Sequence, residues 1–176
     1  MDFIELAKTR YSVRKFEAKS VEQEKTDLLL EAGRLAPTAH NNQPQRILVL
    51  NTGDSLEKLS RCTPFTFGAP LALIICYDKT VSWKRPFDGQ DMGSVDASIV
   101  ATHIMLAAAS IGLGSTWVGH FDPAALRRAF PMPENLVPVA ILPIGYPDQT
   151  STPNPNHTKR HALSHTAFYN SFPSVL

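Results

Sequence analysis

A chain of 176 residues, 43% of them hydrophobic, has the length of one domain and enough apolar material for an ordinary core. Seventeen basic residues against sixteen acidic ones give a net charge of +1, which argues against a broad cationic field for nucleic acid or for an anionic membrane. Any anion binding is therefore local. The start, Met1-Asp2-Phe3-Ile4-Glu5-Leu6, carries acids early, unlike a secretory signal, and the apolar runs Leu71–Tyr77 and Ile99–Ile111 are shorter than a bilayer span. Cys62 and Cys76 form no C-x-x-C pair and are too few for a metal site, so the expectation is a reduced, cytoplasmic protein with a single domain over residues 1–176.

Phe3, Leu6 and Ala7 share one helical face and predict a short helix, which the basic run after it ends. That run, Arg10-Tyr11-Ser12-Val13-Arg14-Lys15-Phe16, is the most informative stretch of the chain. If extended, it projects Arg10, Ser12 and Arg14 to one side. Two guanidinium forks and a hydroxyl with no competing acid form a donor set suited to phosphate; a solvated basic face is the other reading. Ser20 and Gln23 have capping-box spacing, and Leu28, Leu29, Ala32 and Leu35 supply the apolar face of a helix that ends before Pro37. It delivers the loop Pro37-Thr38-Ala39-His40-Asn41-Asn42-Gln43-Pro44, dense in groups that both donate and accept.

Ile47–Leu50 and Leu71–Tyr77 are predicted as buried strands, and residues 83–93 as a polar, turn-rich connection. Asp96 is placed as the cap of a helix from Ala97 to Ile111, with Ile99, Val100, His103, Ile104, Ala107, Ala108 and Ile111 on one broad face. Gly112 stops that helix, Ser115–Val118 forms a strand, Asp122-Pro123 opens a short helix, and Val137–Ile144 is the last clear strand. Residues 148–157, rich in Pro, Asn and Thr, are expected to be irregular and ordered by contact. Helices and strands alternate without the regular spacing of stacked βαβ units, which gives an α+β class.

Four segments in order resemble the FMN-dependent nitroreductase family: Arg10-x-Ser12-x-Arg14-x-Phe16, Ala36–Pro44, Gly112–Gly119, and Pro143-Ile144-Gly145-Tyr146-Pro147 with Lys159-Arg160 downstream. The resemblance implies a mainly antiparallel central sheet wrapped by helices, in an intertwined homodimer with FMN at each of two interfacial sites. It assigns Arg10, Tyr11, Ser12 and Arg14, with Lys159 and Arg160 returning from the C-terminal segment, to the phosphate and ribityl end. Pro37, Thr38, Asn41 and Gln43 of the partner subunit match positions near the ring. Ala39 stands where many members carry a small hydroxyl residue. Val118, Gly119 and His120 are implied to run under the ring, with the Gly119 N–H facing flavin N5. The implied activity is two half-reactions at one site, hydride passing from NAD(P)H to the flavin and then to a nitroaromatic, quinone or similar small acceptor. No side chain is assigned as an essential acid or base. A specialised flavoenzyme of the same fold, of dehalogenase or flavin-fragmenting type, and a non-catalytic flavin-binding module are the alternatives.

Other patterns carry less. Gly112-Leu113-Gly114 follows a helix and precedes a strand, the reverse of a dinucleotide fingerprint. His157-x-x-x-His161 has helical metal-ligand spacing but lies in the irregular tail without a third ligand, so solvated histidines are expected and no metal. Phe65, Phe67, Trp83 and Phe87 lie in connections, as packing residues or as an aromatic lid.

Overall fold

The strand β2, Leu71–Asp78, is buried almost throughout, and its neighbours explain why its sequence is apolar without alternation. Leu71, Leu73 and Ile75 enter one core cluster while Ala72, Ile74 and Cys76 enter another, so both faces of the strand are covered. The computed structural model describes residues 2–173, and among them four strands form one antiparallel sheet in the order β1-β2-β4-β3. β1 is Gln45–Leu50, β3 the two residues Gly114–Ser115, and β4 Leu136–Gly145. Helices α2 (Gln23–Arg34) and α4 (Gly93–Ser110) contribute Leu29, Val100 and Ile104 to the first cluster. Helices α3 (Gly53–Ser60) and α5 (Pro123–Ala129) contribute Leu59 and Leu126 to the second. The result is the expected α+β architecture, an antiparallel sheet between helical layers.

The N-terminal helix α1, Phe3–Thr9, starts at Asp2, whose carboxylate accepts the Glu5 N–H at 3.0 Å. Beyond it the chain runs extended along the sheet edge. Ser12 bridges Ser115 of β3 in parallel, Val13 N–H donates to Ser115 O at 3.1 Å, and Phe16 bridges Pro147. Gly114 makes this approach possible, since a Cβ there would lie 2.5 Å from Val13 Cγ2.

Several local expectations are corrected. The Ser20–Gln23 capping box does not form: α2 begins at Gln23 behind Glu22, which makes no side-chain cap bond. The Glu22 carboxylate instead accepts from Tyr146 Oη at 2.7 Å, which holds its pKa down at about 2. Tyr146 in turn accepts from Lys25 Nζ at 2.7 Å and lies under Lys19 Nζ, 3.9 Å from the ring centroid. β1 is an edge strand rather than a buried one, with Leu48 40% exposed. Asp96 is not the cap of α4. The helix starts at Gly93, whose N–H is taken by Asp91 Oδ1 at 2.8 Å, and this places Asp96 inside the first turn, buried. Ser115–Val118 is a two-residue strand followed by an isolated bridge from Val118 to Ile141. The helix α3 was not anticipated, although Thr52 and Ser55 form a complete capping box at its start. Beginning at Gly93 also makes α4 18 residues long and apolar enough to cross a membrane by length and composition, with a mean hydropathy of 1.2; here it packs on the sheet.

Candidate functional site

Tyr11, Ser12 and Arg14 meet the C-terminal segment at Asn154, Asn156 and His157 around a cavity of about 350 Å³. The segment is held by long-range contacts rather than by secondary structure. Tyr11 Oη donates to Ser151 O at 3.2 Å, His157 Nε2 donates to Lys8 O at 3.0 Å, and the Tyr11 and His157 rings meet edge-on at 6.2 Å. His157 is thus a structural partner of α1, not a solvated histidine. Asn154 shapes its own turn by accepting the Asn156 N–H on its side chain at 2.9 Å. The lining consists of donors, hydroxyls and amides without a carboxylate, a set that accepts an anion. Arg14 is exposed, and among the described residues its side chain hydrogen-bonds only to Ser12 O, at 3.4 Å, so the guanidinium fork is available.

Arg10 is placed differently. It is the C-cap of α1, so strand alternation has not begun at its position, and it lines a neighbouring cavity of about 180 Å³ with Val13, Gly112 and Leu113. Its Nη1 is buried without a hydrogen-bond partner among the described residues. A buried guanidinium nitrogen left unpaired costs free energy that an anion on that side would recover. Lys159 and Arg160 do not line either cavity. Arg160 Nη1 turns back to its own loop, donating to His157 O at 2.6 Å and Lys159 O at 2.8 Å. Asn154, Asn156 and His157 line this cavity although sequence reasoning did not place them there; the Asx turn at Asn154 was the signal for that bend.

The loop after α2 is anchored elsewhere. Asp96 Oδ1 accepts the Ala39 N–H at 2.9 Å, Thr38 Oγ1 accepts the Gln43 N–H at 3.0 Å, and Gln43 Nε2 donates to Asn41 O at 3.3 Å. Asn42 Nδ2 donates to Val81 O at 2.9 Å, and His40 stacks on Trp83 at 5.1 Å. Three non-glycine residues of this short loop, His40, Asn41 and Gln43, have left-handed φ values of 53°, 53° and 48°. Each costs on the order of 1–3 kcal/mol, so the loop is held by its anchors against its own preference, a pattern concentrated at ligand sites. Pro37, Asn41 and Gln43 are exposed, and none of residues 37–43 lines the Arg14 cavity. Within one chain the two motifs remain apart.

The third motif continues from the sheet edge. Val118 and Ile141 exchange both backbone hydrogen bonds at 2.9 Å, which pins Val118 in the core while Gly119 and His120 stand exposed. Nothing in the chain requires a glycine at 119: its φ is not positive, and a Cβ there would meet only Trp117 Nε1, at 3.8 Å. The space over this exposed backbone is open. His120 lies edge-on to Phe65, with ring centroids 5.2 Å apart. No group of three or more metal-ligating side chains occurs among the described residues.

The sequence pattern of the Nitroreductase family matches residues 7–63 and 61–146. A Methanothermobacter thermautotrophicus protein, provisionally named NADH dehydrogenase/NAD(P)H nitroreductase, is 34% identical over 154 residues, which span 84% of this chain and 78% of that protein. The crystal structure of a nitroreductase family protein from Clostridium difficile 630 is 42% identical, with a TM-score of 0.92 over 98% of this chain and 100% of its own. An FMN-dependent nitroreductase from Clostridium difficile R20291 is 28% identical, with a TM-score of 0.81 over 97% of this chain and 100% of its own. With its motifs in the family's order on the family's fold, this chain is a member of the nitroreductase family.

Proposed function

We propose that this protein is an FMN-dependent oxidoreductase that takes hydride from NAD(P)H and reduces a small acceptor such as a nitroaromatic or quinone. The observation that carries the reading is the acid-free cavity at Ser12 and Arg14, with the unpaired Arg10 Nη1 on a neighbouring cavity that shares Tyr11. The residues present fit the cofactor. Ser12 and Arg14 would hold the phosphate with charge-assisted bonds of about 1.5–3 kcal/mol each, with Arg10 and Tyr11 behind them. The Gly119 N–H and the loop Pro37, Thr38, Asn41 and Gln43 would address the flat ring and its heteroatom edge, orienting it and excluding water. When bound, FMN supplies the hydride-transfer chemistry itself. The names of its relatives support this reading, one being an FMN-dependent nitroreductase and another carrying NAD(P)H nitroreductase in its name.

We further infer an intertwined homodimer in a reducing, cytoplasmic setting, each flavin site drawing Arg14 from one chain and Asn41 from the other. Two observations support it. The motifs stand apart within one chain, and α4 carries an open apolar groove of about 560 Å³ lined by Phe3, Val95, Ile99 and Leu106. Purified protein tests the function: release of the bound flavin by denaturation and chromatography is expected to give FMN, and anaerobic NAD(P)H is expected to bleach its absorbance. A colourless protein that takes up no FMN refutes the assignment, and a yellow protein that NAD(P)H does not reduce leaves a non-catalytic flavin module.

A further inference from the structure

The turn at residues 62–68 is tied to the segment carrying Gly119 and His120 at three points. Asp122 N–H donates to Cys62 O at 2.9 Å, Thr63 Oγ1 donates to His120 O at 2.7 Å, and the Phe65 ring meets the His120 imidazole at an interplanar angle of 86°. Thr63 is 2% exposed, and its hydroxyl also accepts the Phe65 N–H at 3.2 Å. One buried hydroxyl thus fixes the backbone of both ring-bearing residues. The turn then reverses through Phe67 and Gly68, with φ values of 55° and 66°, and Phe67 backs Phe65 at 5.9 Å. A left-handed phenylalanine persists only where its surroundings over-determine it.

The rings held this way do not complete a core. Phe65 is 38% exposed, His120 is exposed, and the imidazole nitrogens make no hydrogen bond among the described residues. An aromatic face and an unpaired N–H group therefore stand beside the open backbone of Gly119.

We propose that Phe65 and His120 are the acceptor-recognition pair of this enzyme, selecting a flat aromatic ring that bears a nitro or quinone oxygen. The ring packs against Phe65, and the imidazole N–H donates to the oxygen. Thr63 is the positioning residue that sets both. This inference rests on the flavin oxidoreductase reading and specifies how its site chooses among acceptors.

The test compares a flat acceptor, 4-nitrobenzamide, with ferricyanide, which takes electrons without presenting an aromatic ring. On oxidised, FMN-loaded protein without NAD(P)H, calorimetry is expected to show 4-nitrobenzamide bound about tenfold more weakly by Phe65→Ala and by His120→Ala than by the parent. In turnover, kcat/KM for 4-nitrobenzamide is expected to fall about tenfold more than kcat/KM for ferricyanide. Thr63→Val is expected to raise the KM for 4-nitrobenzamide, and Thr63→Ser to restore it. Unchanged calorimetric binding in both ring variants, or equal losses with the two acceptors, overturns the proposal while leaving the flavin reading intact. A parent protein that takes up no FMN overturns both.

Discussion

Asp96 and Ala39 lie 57 positions apart, and the Asp96 carboxylate accepts the Ala39 backbone N–H at 2.9 Å. The carboxylate sits in the first turn of α4, where the helix dipole favours a negative charge, and it is 2% exposed. It joins the central helix to the strained loop that carries Asn41 and Gln43.

Removing that anchor is expected to release the loop. Asp96→Ala should destabilise the fold by about 1.5–3 kcal/mol, the range for a hydrogen bond to a charged group, and speed amide exchange in residues 38–43. Urea unfolding and hydrogen exchange measure both, and loop protection unchanged in the variant would show that Asp96 does not hold it.

Gly119→Ala separates ligand space from packing space. A Cβ at this position has room in the chain, so the thermal midpoint of the flavin-free protein should not move, while FMN affinity falls because the added methyl occupies the approach to the backbone. Flavin titration of the apo-protein against the parent decides it.

Gly93→Ala has the opposite signature. A Cβ at Gly93 would lie 2.0 Å from the Tyr77 ring, so the ring or the α4 start must shift, and the loss in stability is expected to reach about 1–3 kcal/mol. A double variant with Tyr77→Ala should recover part of it in a denaturant series, and failure to recover any would place the cause outside this contact.

The two basic candidates should behave unequally. Arg14→Ala is expected to weaken FMN binding roughly 10- to 100-fold, from the loss of about 1.5–3 kcal/mol of charge-assisted bonding. Arg160→Ala should cost less, since its guanidinium is already engaged by His157 O and Lys159 O. Titration of both variants with circular dichroism as a fold control checks the order, and an equal or larger effect at Arg160 would bring that residue back to the phosphate.

Acid titration has a definite sign at Asp78. Its carboxyl is held at about 2, below the ordinary 3.8, chiefly by the Thr80 hydroxyl at 2.6 Å, then by Asn135 and the Thr80 N–H, with Arg46 at 3.7 Å adding attraction. A depressed carboxylate pKa contributes stability that is present above pH 3.8 and lost as pH falls toward 2. Asp78→Asn should therefore flatten the decline of the urea midpoint in that interval, and a slope identical to the parent's would assign the acid sensitivity to other groups such as Glu22.

Much of this organisation was legible in the residues. The unbroken apolar run at Leu71–Tyr77 announced a strand with two covered faces, and Asp122-Pro123 announced α5 because the Asp122 side chain does accept the Ala124 and Ala125 N–H groups. What stayed hidden was set partly by partners distant in sequence and partly by where helices begin and end. Glu22 is drawn from capping by Tyr146, Asp96 lies inside α4 because Asp91 takes the Gly93 N–H and the helix starts there, and Arg10 leaves the alternation of its neighbours because it ends α1. At the proposed site, the motifs point to Ser12, Arg14 and Gly119, whereas the nearness of Asn154 and Asn156 to Arg14 and of Thr63 to His120 became visible only once the chain brought the C-terminal segment and the 62–68 turn to them.

The extended run at residues 10–16 has a consequence for how the molecule is made. Its long-range contacts are with Ser115, Pro147, Asp148 and Ser151, the last 140 positions from Tyr11, so none of these exists while the first half of the chain is being synthesised. Residues 10–16 leave the ribosome before β4 and the segment beyond it, and must wait for both before they settle. A ribosome stalled before β4 would hold a nascent chain with its sheet edge unfilled and its arginines still untethered.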